Sequence, residues 1–424
     1  MNNFFRRFLT PLAATSRKMS SIGKARYDNY ALYRVHIKTE AQVKTLQELE
    51  EKSDSYVFIG HALRPDQKLV IMVSAHKLAE IEEIIARYGF GKEILHPNIQ
   101  ELIDQEAVRV KPVDTKPENV DWNNYWQLDT INKWLDWLAA KHSFITTVDL
   151  GESYEGQTVK GVKFAKNDTN PTIFIEAGIH AREWISPATT TFIINQLVES
   201  SRPEVQELAN NFNWFFFPVV NPDGYRYTFE KDRLWRKNRK PYGLYLGVDL
   251  NRNFDANWNG TGSSSDPSRY DFCGAGPFSE PETANIDNFF KAHGKKERIN
   301  TYIALHSFSQ LMMFPYGHKT EKPPNYDDLK AIGEKAVAAI KEKHGKTYIC
   351  GSSIETIYPS SGGSNDWVYE KGFADISYII ELRGPADSTN MFILPADEIT
   401  PVGEEILEAF IALLKEGKAR GYYN

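Results

Sequence analysis

Along residues 29–105 the spacing of apolar positions changes repeatedly. NYALYRVHI alternates apolar and polar residues, the period-two pattern of a strand with one buried face. EAQVKTLQELEEK then spaces its apolar residues at helical intervals, KLVIMVS is a continuous apolar run, and HKLAEIEEIIARYG returns to the helical period. Helices set between short strands predict a small α+β unit of the ferredoxin-like β-α-β-β-α-β kind. In IQELIDQEAVRVKPVDTKPENVDWNN the periodicity fades and Pro112 and Pro117 punctuate the chain, which predicts a linker over 106–120. From Asp121 onward, short apolar runs (TIFIEAGI, NWFFFPVV, NTYIALH, DISYIIEL) fit strands covered on both faces. Between them WQLDTINKWLDWLAAKH, ATTTFIINQLVESS, YDDLKAIGEKAVAAIKEK and EEILEAFIALLKEG fit helices. Strands interleaved with helices predict an α/β domain over 121–424, a mixed, largely parallel open sheet with helices on both faces.

Composition narrows the class. A chain of 424 residues accommodates one large domain and a smaller one. A net charge of −6 without runs of like charge gives no reason to expect a nucleic-acid partner. No stretch approaches the roughly 18 apolar residues of a membrane span. Cys273 and Cys350 permit at most one disulfide, with their pairing left open, so the core must hold the fold. Residues 1–28 carry only basic charges before Asp28 and form a targeting or disordered segment. FLTPLAA, broken by Pro11, is no clear secretory h-region, and the Arg- and Ser-rich, acid-poor composition fits a mitochondrial presequence as well.

The ionisable residues cluster where apolar runs end. His180 follows TIFIEAGI, His306 follows TYIAL and Glu381 follows ISYII. In open α/β sheets the ligand crevice lies outside the carboxyl ends of strands, so these three ends can converge. His180 and Glu183, three apart, would share one face of a helical turn. With His306 they make a two-histidine, one-carboxylate set that leaves a fourth position for water. A second match to the H-x-x-E spacing, His318 to Glu321, lies in a polar stretch and reads as a solvated loop. By default a histidine after a strand is structural, an arginine in KDRLWRKNRK is surface charge, Arg252 beside asparagines is turn chemistry, and Tyr358 before Pro359 packs. Glu381 is harder to set aside, because an acid ending an apolar strand is costly if buried and unpaired.

HAREW, WRKNR, GVDLNRNFD, LHSFSQ, YPSSGGSNDW and IIELRG, in this order, resemble the zinc carboxypeptidases of the pancreatic A/B type. The resemblance runs from about Asp121 to the C-terminus, and residues 29–105 resemble that family's inhibitory pro-segment. It implies a carboxypeptidase-like fold and one Zn2+ per chain held by His180, Glu183 and His306, a ligand set of which carboxypeptidase A is the standard example. Carried over by motif, Glu381 is the general base and Arg239 in WRKNR stabilises the oxyanion. Asn251 and Arg252 hold the substrate's C-terminal carboxylate, Tyr358 closes over the substrate, Arg182 and Arg236 form secondary subsites, and Asp249 orients His180. The family sets its specificity at the position of Asn365, where a neutral amide cannot balance a buried ammonium. Ile379 and Met313 add apolar wall and Gly317 leaves room, so an uncharged aromatic or aliphatic C-terminal residue is expected. The resemblance further implies a secreted, monomeric zymogen, acting on peptide or protein C-termini after a trypsin-like protease cuts behind Arg109 or Lys111. Tyr245 and Ser268 stand where vertebrate digestive members place a disulfide. A second reading is a non-catalytic peptide-binding relative, which would lack a metal ligand or the base, and no such position is missing here. A third, an intracellular enzyme regulated by its N-terminal unit, is supported only by the unusual N-terminus.

Overall fold

Four strands, β1 (Ala31–Ile37), β2 (Tyr56–Ile59), β3 (Gln67–Val73) and β4 (Gly91–His96), form an antiparallel sheet in the order β2-β3-β1-β4. The alternation of β1 sends Tyr33, Val35 and Ile37 to one face, where they meet Val43, Leu46 and Leu49 of one helix and Ile81 and Ile85 of another. These helices, Glu40–Lys52 and Leu78–Tyr88, complete the ferredoxin-like unit. The opposite face presents Leu32, Val70 and Met72 to Leu234, Phe308 and Phe392 of the larger domain, so the small unit is seated on it through apolar burial. The computed structural model describes residues 23–52, 55–107, 115–293, 299–384 and 389–423. Most of the expected targeting segment (residues 1–22) and the expected cleavage residues Arg109 and Lys111 lie outside them. The helix Ile99–Ala107 runs across the point where fading periodicity predicts the linker to begin, because Ile99 is anchored in the interface cluster.

The large sheet contains β5 (Ile145–Glu152), β6 (Thr158–Phe164), β7 (Thr172–Ala177), β8 (Asn213–Phe217), β11 (Ile299–His306), β12 (Leu311–Phe314), β13 (Ile349–Ser352) and β14 (Ile376–Glu381). A separate small hairpin pairs β9 (Pro241–Tyr242) with β10 (Tyr245–Leu246). The strand order is β13-β12-β14-β11-β7-β8-β6-β5, and the central strands β14, β11, β7 and β8 run parallel. Every residue of β7 and β8 is buried, as strands covered on both faces require. One face packs on the helices Leu128–Lys141, Ile185–Glu199, Tyr326–His344 and Ile399–Ala419, the other on Pro281–His293 and Ser364–Glu370. Replacing a residue such as Phe174, fully buried between Phe290 and Tyr302, with alanine should cost about 3–5 kcal/mol.

Register places the chemistry. On the three central strands Phe174, Tyr302 and Ser377 lie side by side, then Glu176, Ala304 and Ile379, then His306 beside Glu381. Side chains alternate along a strand, so these rows share one face and end at the carboxyl edge of the sheet. Cys273 and Cys350 are both unpaired. No helix among the described residues is long and apolar enough to cross a membrane.

Candidate metal centre and pocket

His180 lies just past β7, reached through Gly178 at φ 63. A Cβ on Gly178 would stand 3.0 Å from the Pro218 carbonyl, so a side chain there would be strained in conformation and crowded in space. The expected helical turn from His180 to Glu183 is not formed. Instead the Glu183 amide donates to the His180 carbonyl (3.2 Å) and the Ser186 amide to the Glu183 carbonyl (3.0 Å), and the helix begins only at Ile185. These tight turns bring the two side chains together as a helix would. His306 ends β11 and Glu381 ends the neighbouring β14.

The structure brings His180, Glu183 and His306 into one buried cluster whose candidate ligand atoms all lie within 4.8 Å of one another. Glu183 Oε1 is 2.8 Å from His180 Nδ1, Glu183 Oε2 is 3.2 Å from His306 Nδ1, and the two Nδ1 atoms are 3.1 Å apart. His180 Nε2 lies 3.0 Å from Asp249 Oδ1, an acceptor, which places the ring proton there and leaves the Nδ1 lone pair facing inward. Two inward-facing nitrogens and a carboxylate are the donor set zinc takes, so the residues fit that ion. Electrostatics agree. Burial alone would raise Glu183, but the two imidazoles hold its carboxyl well below the ordinary range. Burial is likewise overcome at Asp249 by Arg236, His180 and Arg252, and its carboxyl is held far down. Burial and the nearby Arg236 push His180 down, towards the neutral form that can ligate.

The cluster opens into a pocket of about 440 Å³ that Glu381, Arg252, Asn251, Tyr358, Arg182, Arg236, Ile379 and Met313 also line. Burial, opposed by His306 and reinforced by Glu183, pushes the Glu381 carboxyl up from the ordinary carboxylate range. Arg252 donates from Nε to the Gly262 carbonyl and from Nη1 to the Asn251 carbonyl, both at 2.8 Å, which fixes the guanidinium at the pocket edge. Asn251 Oδ1 accepts from the Ser364 amide at 2.9 Å. Arg182 lies over the Phe392 ring (3.9 Å to its centre), and burial lowers its pKa to about 10.

Four expectations need correction. Arg239 does not line this pocket: its guanidinium is sandwiched over Tyr227 (3.6 Å) and Trp235 (4.4 Å). Arg236 is the arginine of that stretch that reaches the centre, donating to Asp249 Oδ2 at 3.0 and 2.8 Å, with Nη1 3.9 Å from Glu183. Asn365 is 1% exposed and lies behind the wall, where its Oδ1 accepts from Ser377 Oγ at 2.5 Å. Gly317 adds no room, since a Cβ there would meet Ser360 Oγ at 2.8 Å. His318 is not a solvated loop residue. It follows β12 closely, and its ring is held by Asp366 (2.8 Å) and Glu370 (3.2 Å). Sequence reasoning also passed over Glu176 and Ser364, joined at 3.0 Å beneath the centre. The signal for Glu176 was an acid inside an otherwise apolar strand.

The small N-terminal unit forms part of the pocket wall through Phe58–His61 and Gln67–Val70. His61 meets Tyr358 edge-on at 4.7 Å, and its Nδ1 is 2.7 Å from Glu50. Tyr270 donates to Glu50 (3.3 Å), and Arg269 donates to the Glu50 carbonyl (2.6 Å). At the other end of the interface Arg233 grips the buried Glu106 with two hydrogen bonds (2.5 and 2.9 Å) while lying over Trp184.

Residues 131–409 match the family model described as zinc carboxypeptidase, and residues 33–106 match the carboxypeptidase activation peptide. "Zinc carboxypeptidase A 1" of Anopheles gambiae is 43% identical over 97% of this chain and 95% of its own length. "Carboxypeptidase B" of Astacus astacus is 42% identical over 68% of this chain and 95% of its own. The crystal structure of thrombin-activatable fibrinolysis inhibitor superposes with a TM-score of 0.84 at 28% identity, covering 92% of this chain and 98% of that one.

Proposed function

Because the chain belongs to the zinc carboxypeptidase family, and is thus a metallocarboxypeptidase with a zinc cofactor and an activation peptide, we propose that it releases uncharged C-terminal residues, aromatic or aliphatic, from peptides. The observation that carries this reading is a single pocket in which Arg252 stands near the triad and Glu381, with Ile379 and Met313 as apolar wall.

Arg252, with Asn251, binds the substrate's terminal carboxylate in guanidinium's forked geometry. The side chain of that last residue then faces Ile379 and Met313, which offer no partner to a charged head. His180, Glu183 and His306 would hold the zinc, which when bound would supply the positive charge that acidifies a water and polarises a carbonyl. Glu381 accepts a proton from that water and delivers it to the leaving amine. Arg236, kept in place by Asp249, faces the negative charge that develops on the carbonyl oxygen. Tyr358 covers the bound peptide once the N-terminal unit has left, and Arg182 meets residues upstream of the scissile bond. The enzyme works as a monomer outside the cell, released from the pro-segment by a trypsin-like cut near Arg109 or Lys111.

The test compares kcat/KM of the trypsin-activated enzyme on blocked peptides ending in Phe or Leu with those ending in Lys or Arg, with and without a zinc chelator. The uncharged series should be cleaved faster and chelation should abolish both. Faster release of Lys or Arg would overturn the pocket reading.

A further inference from the structure

We propose that Glu176 is a positioning residue for the metal centre, its carboxylate accepting a hydrogen bond from the outer ring nitrogen of His306 so that the inner one faces the zinc. This rests on the zinc reading above and goes beyond it, because Glu176 belongs to none of the motifs that carry the family resemblance.

Glu176 is 1% exposed, an acid within the buried run Thr172–Ala177. A carboxyl in such a place is costly unless something compensates it. In register Glu176 stands opposite Ala304 of β11, and His306 lies two residues further along that strand, on the same face. With strands roughly 4.8 Å apart and about 3.3 Å per residue, such diagonal neighbours stand roughly 8 Å apart, within the combined reach of a glutamate and a histidine. Ala304, between them in register, carries only a methyl group.

The hydrogen-bond accounting leaves both members of this pair open. His306 directs Nδ1 towards His180 and Glu183, while its Nε2 is buried without a partner. Glu176 commits Oε1 to Ser364 Oγ (3.0 Å), while Oε2 is buried without a partner. An unmet acceptor, Glu176 Oε2, thus shares one face of adjacent strands with two unmet donors, His306 Nε2 and the Tyr302 hydroxyl, and of these the imidazole is the one whose orientation the metal centre needs fixed. The other histidine supplies the precedent within this molecule, since the outer nitrogen of His180 already lies 3.0 Å from Asp249. Carboxylate partners of this kind fix the tautomer and ring orientation of a ligating histidine and raise its basicity. Glu176 would do for His306 what Asp249 does for His180, and through Ser364, whose amide binds Asn251, it also ties the centre to the carboxylate-binding pair.

The test is zinc affinity of the full chain, measured by competition with a chelator of known strength, for wild type and Glu176→Gln. Glutamine keeps the volume and the acceptor for Ser364 but removes the charge. The dissociation constant should rise about tenfold or more while the thermal midpoint of the metal-free protein stays at the wild-type value. A smaller rise, or a loss of metal-free stability with affinity retained, overturns the proposal and leaves a purely structural glutamate. Should the variant fail to fold, cobalt(II)-loaded wild type decides. Both ligand histidines should then show slowly exchanging, paramagnetically shifted ring N–H protons, and only one such proton overturns the proposal. Failure of wild type to bind zinc at all would instead overturn the metal assignment itself.

Discussion

Arg236 and Arg239 stand three positions apart in WRKNR, and the sequence alone offers no way to decide which one turns inward. In the structure Trp235 decides it. Its ring, together with Tyr227, gives Arg239 a stacking surface away from the pocket, while Arg236 falls against Asp249. Arg236→Met should therefore lower kcat by about 10²–10³-fold. Arg239→Met should leave kcat nearly unchanged and cost on the order of 1 kcal/mol of stability from lost stacking. Steady-state kinetics beside denaturant titration separates the two. Glu381→Gln should lower kcat by about 10²–10⁴-fold with zinc content unchanged, as metal analysis of the purified variant will register. The convergence of His180, His306 and Glu381 was legible because each follows an apolar run that reads as a strand, and Glu183 because it stands three residues beyond His180. Glu176 was passed over although its strand already read as covered on both faces, because the sequence does not say which buried groups an acid there would meet.

At the scale of elements, continuous apolar runs translated directly into β7, β8, β11 and β14, and amphipathic stretches into the helices that cover them. Short or polar elements did not. The turns at His180 and the exact end of the small unit depend on hydrogen bonds and interface packing that no periodicity records. His318 shows the cost of judging a histidine by its neighbours in sequence. Burial alone would lower its pKa, but hydrogen bonds to Asp366 and Glu370 raise it to about 9, while Glu370, despite its own burial, is drawn down to about 2. The folded state thus binds the His318 proton more tightly than the unfolded chain, whose ordinary value is 6.5. The resulting stability is fully present below pH 6.5 and is lost as pH rises through about 9. In denaturant titrations across that window wild type should lose on the order of 2 kcal/mol more than His318→Gln. Equal slopes would assign the pH dependence elsewhere.

For the whole molecule, the decisive relation is between the small unit and the pocket it covers. Burial of Leu32, Val70 and Met72 seats the unit, Glu106 and Arg233 fasten one end, and Glu50 and His61 engage Tyr270 and Tyr358 at the other. His61→Ala should weaken this closure by about 1–2 kcal/mol and raise the activity of the uncleaved chain roughly 5–30-fold. After cleavage the variant and wild type should be indistinguishable, because His61 departs with the N-terminal unit. All of this presumes that the triad is the zinc site. Anomalous diffraction at the zinc edge from crystals of the zinc-loaded protein tests that directly. One peak should lie about 2.0–2.2 Å from His180 Nδ1, His306 Nδ1 and a Glu183 carboxylate oxygen. A peak elsewhere, with none among these atoms, would contradict it.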